Sequence, residues 1–183
     1  MHLQTADKDL TEKITSAARS SFQRLFEEFD EDFYYCALIT CGMALRPAVV
    51  AWSHQSLERE VQWDPDPDEA RLELKWSYAD SPYFTFADEL FDEVEAAFLS
   101  RPQLTTNMSR DQWNEEIDVR MNSMVLAMKH LDQEGLFGSG EERFGVYVGV
   151  EVMPPDYTNT KRAWQLNPPE AIEAWLREAA ETD

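Results

Sequence analysis

The side chains best suited to bind a metal or attack a carbonyl are three histidines, His2, His54 and His130, and two cysteines, Cys36 and Cys41. No two histidines sit at the spacing that puts two ligands on one helix face, and neither an HExxH nor a CxxC string occurs. Metal is therefore expected to be dispensable, and no cofactor is implied. His130 falls near the end of a helical segment, where a hydrogen-bonding or positive group suits the dipole, and is read as structural. Cys36 would need His54 beside it to act as a nucleophile. It lies inside an apolar run, where burial raises a thiol pKa, so core packing is its expected role. On a strand, five residues would place Cys36 and Cys41 on opposite faces and about 16 Å apart, too far to pair.

Asp64, Asp66 and Asp68 imitate the first acidic positions of a calcium loop. The sixth position is Glu69 where glycine is needed, the twelfth is Lys75 where glutamate is needed, and Pro65 and Pro67 stiffen the turn, so a solvated acidic loop is expected. Gly135, Gly138 and Gly140 run from a helix into a strand, whereas phosphate-cradling loops run from a strand into a helix. Ser139 between two of them lacks the strand-to-helix turn of a nucleophile elbow. No catalytic residue is nominated. Trp76, Asp80 and Tyr83, in the string Trp-Ser-Tyr-Ala-Asp-Ser-Pro-Tyr, form the one cluster that could build a small-ligand or enzymatic site without a named motif.

The elements that position these residues are read from periodicity. Leu10, Ile14, Ala17, Ala18, Phe22, Leu25, Phe26 and Phe29 predict a helix over 6–29, which runs into the acidic knot Glu27, Glu28, Asp30, Glu31 and Asp32. Phe33 to Cys41 is apolar on both faces and reads as a central strand. Pro47 to Ser53 reads as its antiparallel neighbour. Leu72, Leu74 and Trp76 alternate with Arg71, Glu73 and Lys75, which predicts a third strand, half-exposed or at the edge, over Ala70 to Ser77. Thr85 with Asp88, and Ser109 with Gln112, have capping-box spacing ahead of two helical stripes, and Gly135 stops the second. Val146, Val148, Val150 and Val152 share one face of a strand over Phe144 to Met153. Asn167 is expected to cap a last helix that opens with Pro168 and Pro169. The whole chain, 1–183, is thus expected to form a single α+β domain, a mostly antiparallel sheet packed by helices.

The charge is the most unusual global property: 36 Asp plus Glu against 16 Lys plus Arg, a formal −20. Such a field repels nucleic acid and anionic membranes and attracts basic partners; alternatively it only solubilises. The N-terminus lacks a signal peptide's basic start and apolar run, and no span of about 18 apolar residues occurs, so a cytoplasmic protein is expected. The expected partner is a basic protein, with no nucleic acid or membrane. It would dock on Glu27, Glu28, Asp30, Glu31 and Asp32, or on Asp64, Asp66, Asp68 and Glu69.

The strings Phe33 to Thr40, Leu74 to Tyr83, Leu131 to Gly138 and Leu166 to Pro168, in this order and spacing, resemble a bacterial family known as domain of unknown function 4303. Tyr78 and Ser81 depart from that pattern, which commonly has proline and an aromatic there. The resemblance implies a compact α/β domain and supplies no catalytic residue. In size and acidity such proteins are similar to immunity proteins that neutralise toxins, so a toxin is the kind of basic partner implied.

Overall fold

The computed structural model describes residues 6–182. Helix α1 (Lys8–Glu28) starts where the Asp7 carboxylate accepts the Leu10 amide, and its stripe of Leu10, Ile14, Ala18, Phe22 and Leu25 is fully buried. Strand β1 (Phe33–Cys41) follows, then β2 (Ala48–Ser53), which opens after Pro47 and runs antiparallel to it. The register slips between Phe33 and Tyr35, so Tyr34 and Tyr35 both pack on one side of the sheet.

The expected third strand over Ala70 to Ser77 is instead helix up to Leu74 and turn or irregular chain beyond it. Ser53 ends β2 and caps α2 (His54–Val61) through a reciprocal pair with Ser56. Asp66 then caps α3 (Pro67–Leu74), with Pro67 in the first turn and Asp68 and Glu69 at its positive end. These start signals outweigh the alternation of Leu72 and Leu74. The helix buries Ala70 and half-buries Leu74, which lie one turn apart, and leaves Leu72 in solvent.

A 3-10 turn over Asp88–Phe91 leads into α4 (Asp92–Ser100). The expected Thr85 cap is absent because Thr85 and Ala87 adopt left-handed backbone, and the Thr85 amide bonds the Val49 carbonyl instead. Helix α5 (Arg110–Gln133) has the Ser109–Gln112 capping box at its start. It ends at Gly135 (φ +80°), where the Leu136 amide bonds the Leu131 carbonyl and the Gly135 amide that of Asp132.

Strand β3 (Tyr147–Met153) joins the far side of β1, parallel to it, with Tyr35 opposite Tyr147 and Ile39 opposite Glu151. The fold is α+β as expected, but its sheet, in the order β2-β1-β3, is mixed, with one antiparallel and one parallel pair where a mostly antiparallel sheet is expected. One face, with Cys36, Leu38, Val148 and Val150, packs on α1, α4 and α5; the other, with Tyr35, Val50, Trp52 and Tyr147, packs on α2, α3 and the last helix, α7 (Pro169–Glu178).

Both sheet edges are occupied. Along β3, helix α6 (Tyr157–Leu166) and its C-cap apply polar side chains to the strand backbone. Asn159 bonds the Val152 amide (2.8 Å) and carbonyl, Arg162 the Val150 carbonyl (2.7 Å), and Asn167 the Val148 amide (2.9 Å) and carbonyl (2.7 Å). Asn167 is thereby taken from its expected role: Pro168 holds the α7 cap position, with no side-chain cap. Along β2, Ser81 Oγ donates to the Ala51 carbonyl, and Trp52 Nε1 donates to the Ser77 carbonyl at 2.7 Å. Among the described residues no helix is long and apolar enough to cross a membrane.

Candidate functional site

The acidic knot after α1 divides into structural and free carboxylates. Glu31, its side chain 10 % exposed, accepts hydrogen bonds from Arg59 (2.5 Å), Ser53 Oγ (2.5 Å) and Tyr83 Oη (2.8 Å). Burial opposes its ionisation, but the bonds from Arg59, Ser53 and Tyr83 prevail and hold the carboxyl below its ordinary range. Burial and the Glu31 charge push the Tyr83 phenol up to about 12. Glu28 pairs with Arg24, which also reaches Glu89, and Asp32 receives Gln55. Glu27 and Asp30 are exposed.

The structure does not bring Trp76, Asp80 and Tyr83 into one site. Trp76 packs edge-on against Tyr34, Tyr35 and Tyr147 on the α7 side of the sheet, and its Nε1 donates to Glu178 (3.0 Å). Lys75 completes that cluster and, with Trp76, lowers the Glu178 carboxyl to about 2. Tyr83 packs on the opposite side with Phe29 and Phe33. Asp80 is exposed and accepts the Ser77 hydroxyl, ordering the turn before Pro82.

The second acidic group forms a hairpin of α2 and α3. Over His54–Leu74 the chain carries seven carboxylates against two arginines. Arg71 ties the two helices by bonding Glu58 on α2 (2.8 and 2.9 Å) and Asp68 on α3 (2.8 Å). Asp66 caps α3, and Asp64 accepts the Asp66 amide. Glu60, Asp64, Glu69 and Glu73 project into solvent without an ion pair among the described residues. Two large apolar side chains stand out among them: Trp63 is 85 % exposed and Leu72 74 %.

One buried carboxylate was not nominated from sequence. Glu151 is fully enclosed beside the stacked rings of Tyr35 and Tyr147 (5.3 Å, 4°), with Trp175 on the far side of Tyr147. Tyr35 Oη donates to it at 3.0 Å. The Tyr147 hydroxyl lies in the same field but makes no well-directed hydrogen bond, so Tyr35 is its effective donor. Burial pushes the Glu151 carboxyl up to about 7. Gly149 makes room for this layer, since a Cβ there would lie 2.6 Å from the Tyr147 ring. Its only sequence signal was a lone charge among the valines of β3.

Cys36 and His54 lie on opposite sides of the sheet: the thiol is in the α1 core, where burial pushes its pKa up, and the imidazole rests on Tyr34. Both cysteines are free thiols. His130 occupies the last turn of α5, and His2 is outside the described residues. Among the described residues no group of three or more His, Cys, Asp or Glu is arranged to hold a metal ion.

The family model for the domain of unknown function DUF4303 matches residues 14–168, from the first turns of α1 to the start of α7. The chain belongs to this family. The match takes in the whole sheet, both acidic groups and Tyr35, Tyr147 and Glu151, so these are parts of the DUF4303 domain, whereas Trp175 lies beyond the matched residues. No curated protein and no solved structure matches the chain.

Proposed function

We propose that this DUF4303 protein is a non-enzymatic binding protein that docks a basic protein surface, such as that of a toxin, through its α2–α3 hairpin. The observation that carries this reading is the pairing of exposed Trp63 and Leu72 with the free carboxylates Glu60, Asp64, Glu69 and Glu73 on one hairpin. Exposed tryptophan is an anchor type in protein interfaces, and surrounding charge sets partner choice and encounter rate. Docking by strand addition fits poorly, because side chains and loop groups already bond along both sheet edges. Docking on the knot after α1 fits less well than on the hairpin, because Glu28 and Glu31 are engaged internally.

The test compares three immobilised proteins: wild type, Trp63→Ala, and a variant with Asp64, Glu69 and Glu73 changed to their amides. The expected result is a basic protein retained by wild type, identified by mass spectrometry, and lost from both variants. Partners that are acidic, or retained equally by all three, contradict the proposal.

A further inference from the structure

At the carboxyl ends of the parallel strands β1 and β3, α5 and α6 part to leave a cleft of about 340 Å³. Open α/β sheets commonly bind ligands at such strand ends. The volume is at the small end of ligand pockets, roughly 300–1,000 Å³, which suits a metabolite smaller than a nucleotide. Gly42, directly after β1, and Val152 of β3 line it beside Met121 and Val125 of α5.

The charges around this apolar lining come from opposite walls. Arg162 of α6 is committed, through Nε to the Val150 carbonyl and Nη2 to Asn159, and Asp156 holds the α6 N-terminus through Thr158. Asp118 on α5 and Lys161 on α6 remain. Both are exposed, and among the described residues neither is ion-paired, with the other or with a third group. Lys161 Nζ instead rests 4.2 Å from the centre of the Tyr157 ring. Carboxylates outnumber cations in this chain and hold most of them, and Lys161 belongs to the minority, which includes Arg110 and Lys129, that makes no ion pair among the described residues.

We infer that the α5–α6 cleft binds a small zwitterion of the α-amino-acid type, its ammonium at Asp118, its carboxylate at Lys161 and an apolar side chain against Met121, Val125 and Val152. A lone anion would be repelled by the −20 field, and a lone cation would find carboxylates over the whole surface. A dipolar ligand of zero net charge is indifferent to the net field and gains from both local charges.

The test is calorimetric titration and thermal shift of the full chain with free leucine and methionine, N-acetyl-leucine and leucinamide. Free leucine or methionine is expected to bind, with either blocked derivative weaker by about tenfold or more. Asp118→Asn should abolish the preference for a free amine, and Lys161→Gln the preference for a free carboxylate. Exposed charges contribute little to stability, so both variants should remain folded. Gly42→Phe is a third variant: Gly42 lines the cleft and a Cβ there meets nothing within 4 Å, so a ring is tolerated at its rim and should weaken binding with both charges in place. No binding of any free amino acid at about 10 mM, equal binding of the blocked forms, or binding unchanged in all three variants overturns the inference.

Discussion

Glu31 and Tyr83, 52 positions apart in sequence, share a 2.8 Å hydrogen bond, and the Arg59 guanidinium bonds both. The contact fastens the α1–β1 turn to α2 and to the segment along the β2 edge. One member of the acidic knot is thus part of the framework, while its neighbours Glu27 and Asp30 are not.

Glu31→Gln should therefore destabilise the protein by about 1–3 kcal/mol, because a charge-assisted network loses its anion. Glu27→Gln and Asp30→Asn should each stay within about 0.5 kcal/mol of wild type. The folded Glu31 pKa is depressed, so its contribution is present above the unfolded value of about 4.5 and is lost as pH falls through the folded pKa. Urea unfolding of the three variants at neutral and acidic pH checks both statements.

Glu151 has the opposite pH signature. Its folded pKa of about 7 lies above the ordinary 4.5, so the native state holds the extra proton between these values and stability from this group falls as pH rises. The shift corresponds to on the order of 3 kcal/mol between acidic and mildly alkaline pH. Tyr35, Tyr147, Tyr78 and Arg162 are the titratable groups that share its field. Glu151→Gln keeps the shape without the ionisation, so its stability relative to wild type should climb from pH 5 to pH 8. A constant difference between the two unfolding free energies across that range would contradict the assignment.

The clamp on β3 predicts a different failure. Asn167→Ala removes the partners of the Val148 amide and carbonyl and one acceptor of Arg143, leaving buried polar groups unpaired. A loss of about 2–4 kcal/mol is expected, together with a bared strand edge. Denaturant unfolding measures the first effect. Light scattering at raised temperature measures the second, with more association than a core variant of equal stability.

Periodicity and caps made most of this fold legible. The α1 stripe, the doubly buried β1, the Ser109 capping box and the Gly135 stop follow from local rules that the tertiary structure keeps. Alternation failed at Leu72 and Leu74, where two leucines at strand spacing belong to a helix that exposes one and half-buries the other. The partner of β1 at its second edge was illegible, because β3 lies more than one hundred residues downstream and nothing local encodes a parallel register. For the same reason charge alone did not separate the ion-paired Glu31 from the exposed Glu73, which has no ion pair among the described residues. That distinction depends on Arg59 and Tyr83 arriving from elsewhere in the chain.

The proposed docking of a basic partner on the α2–α3 hairpin is tested most directly by the partner's association rate as a function of salt. The Debye length shrinks to about 8 Å at physiological ionic strength, so a steered encounter slows as salt is added. Wild type should associate several-fold faster at low than at high salt, and the Asp64, Glu69 and Glu73 amide variant should start slow and lose most of that dependence. Trp63→Ala should leave the association rate nearly intact and raise the dissociation rate. A partner whose association is independent of salt, and the same in all three proteins, would show that the hairpin is not the docking face.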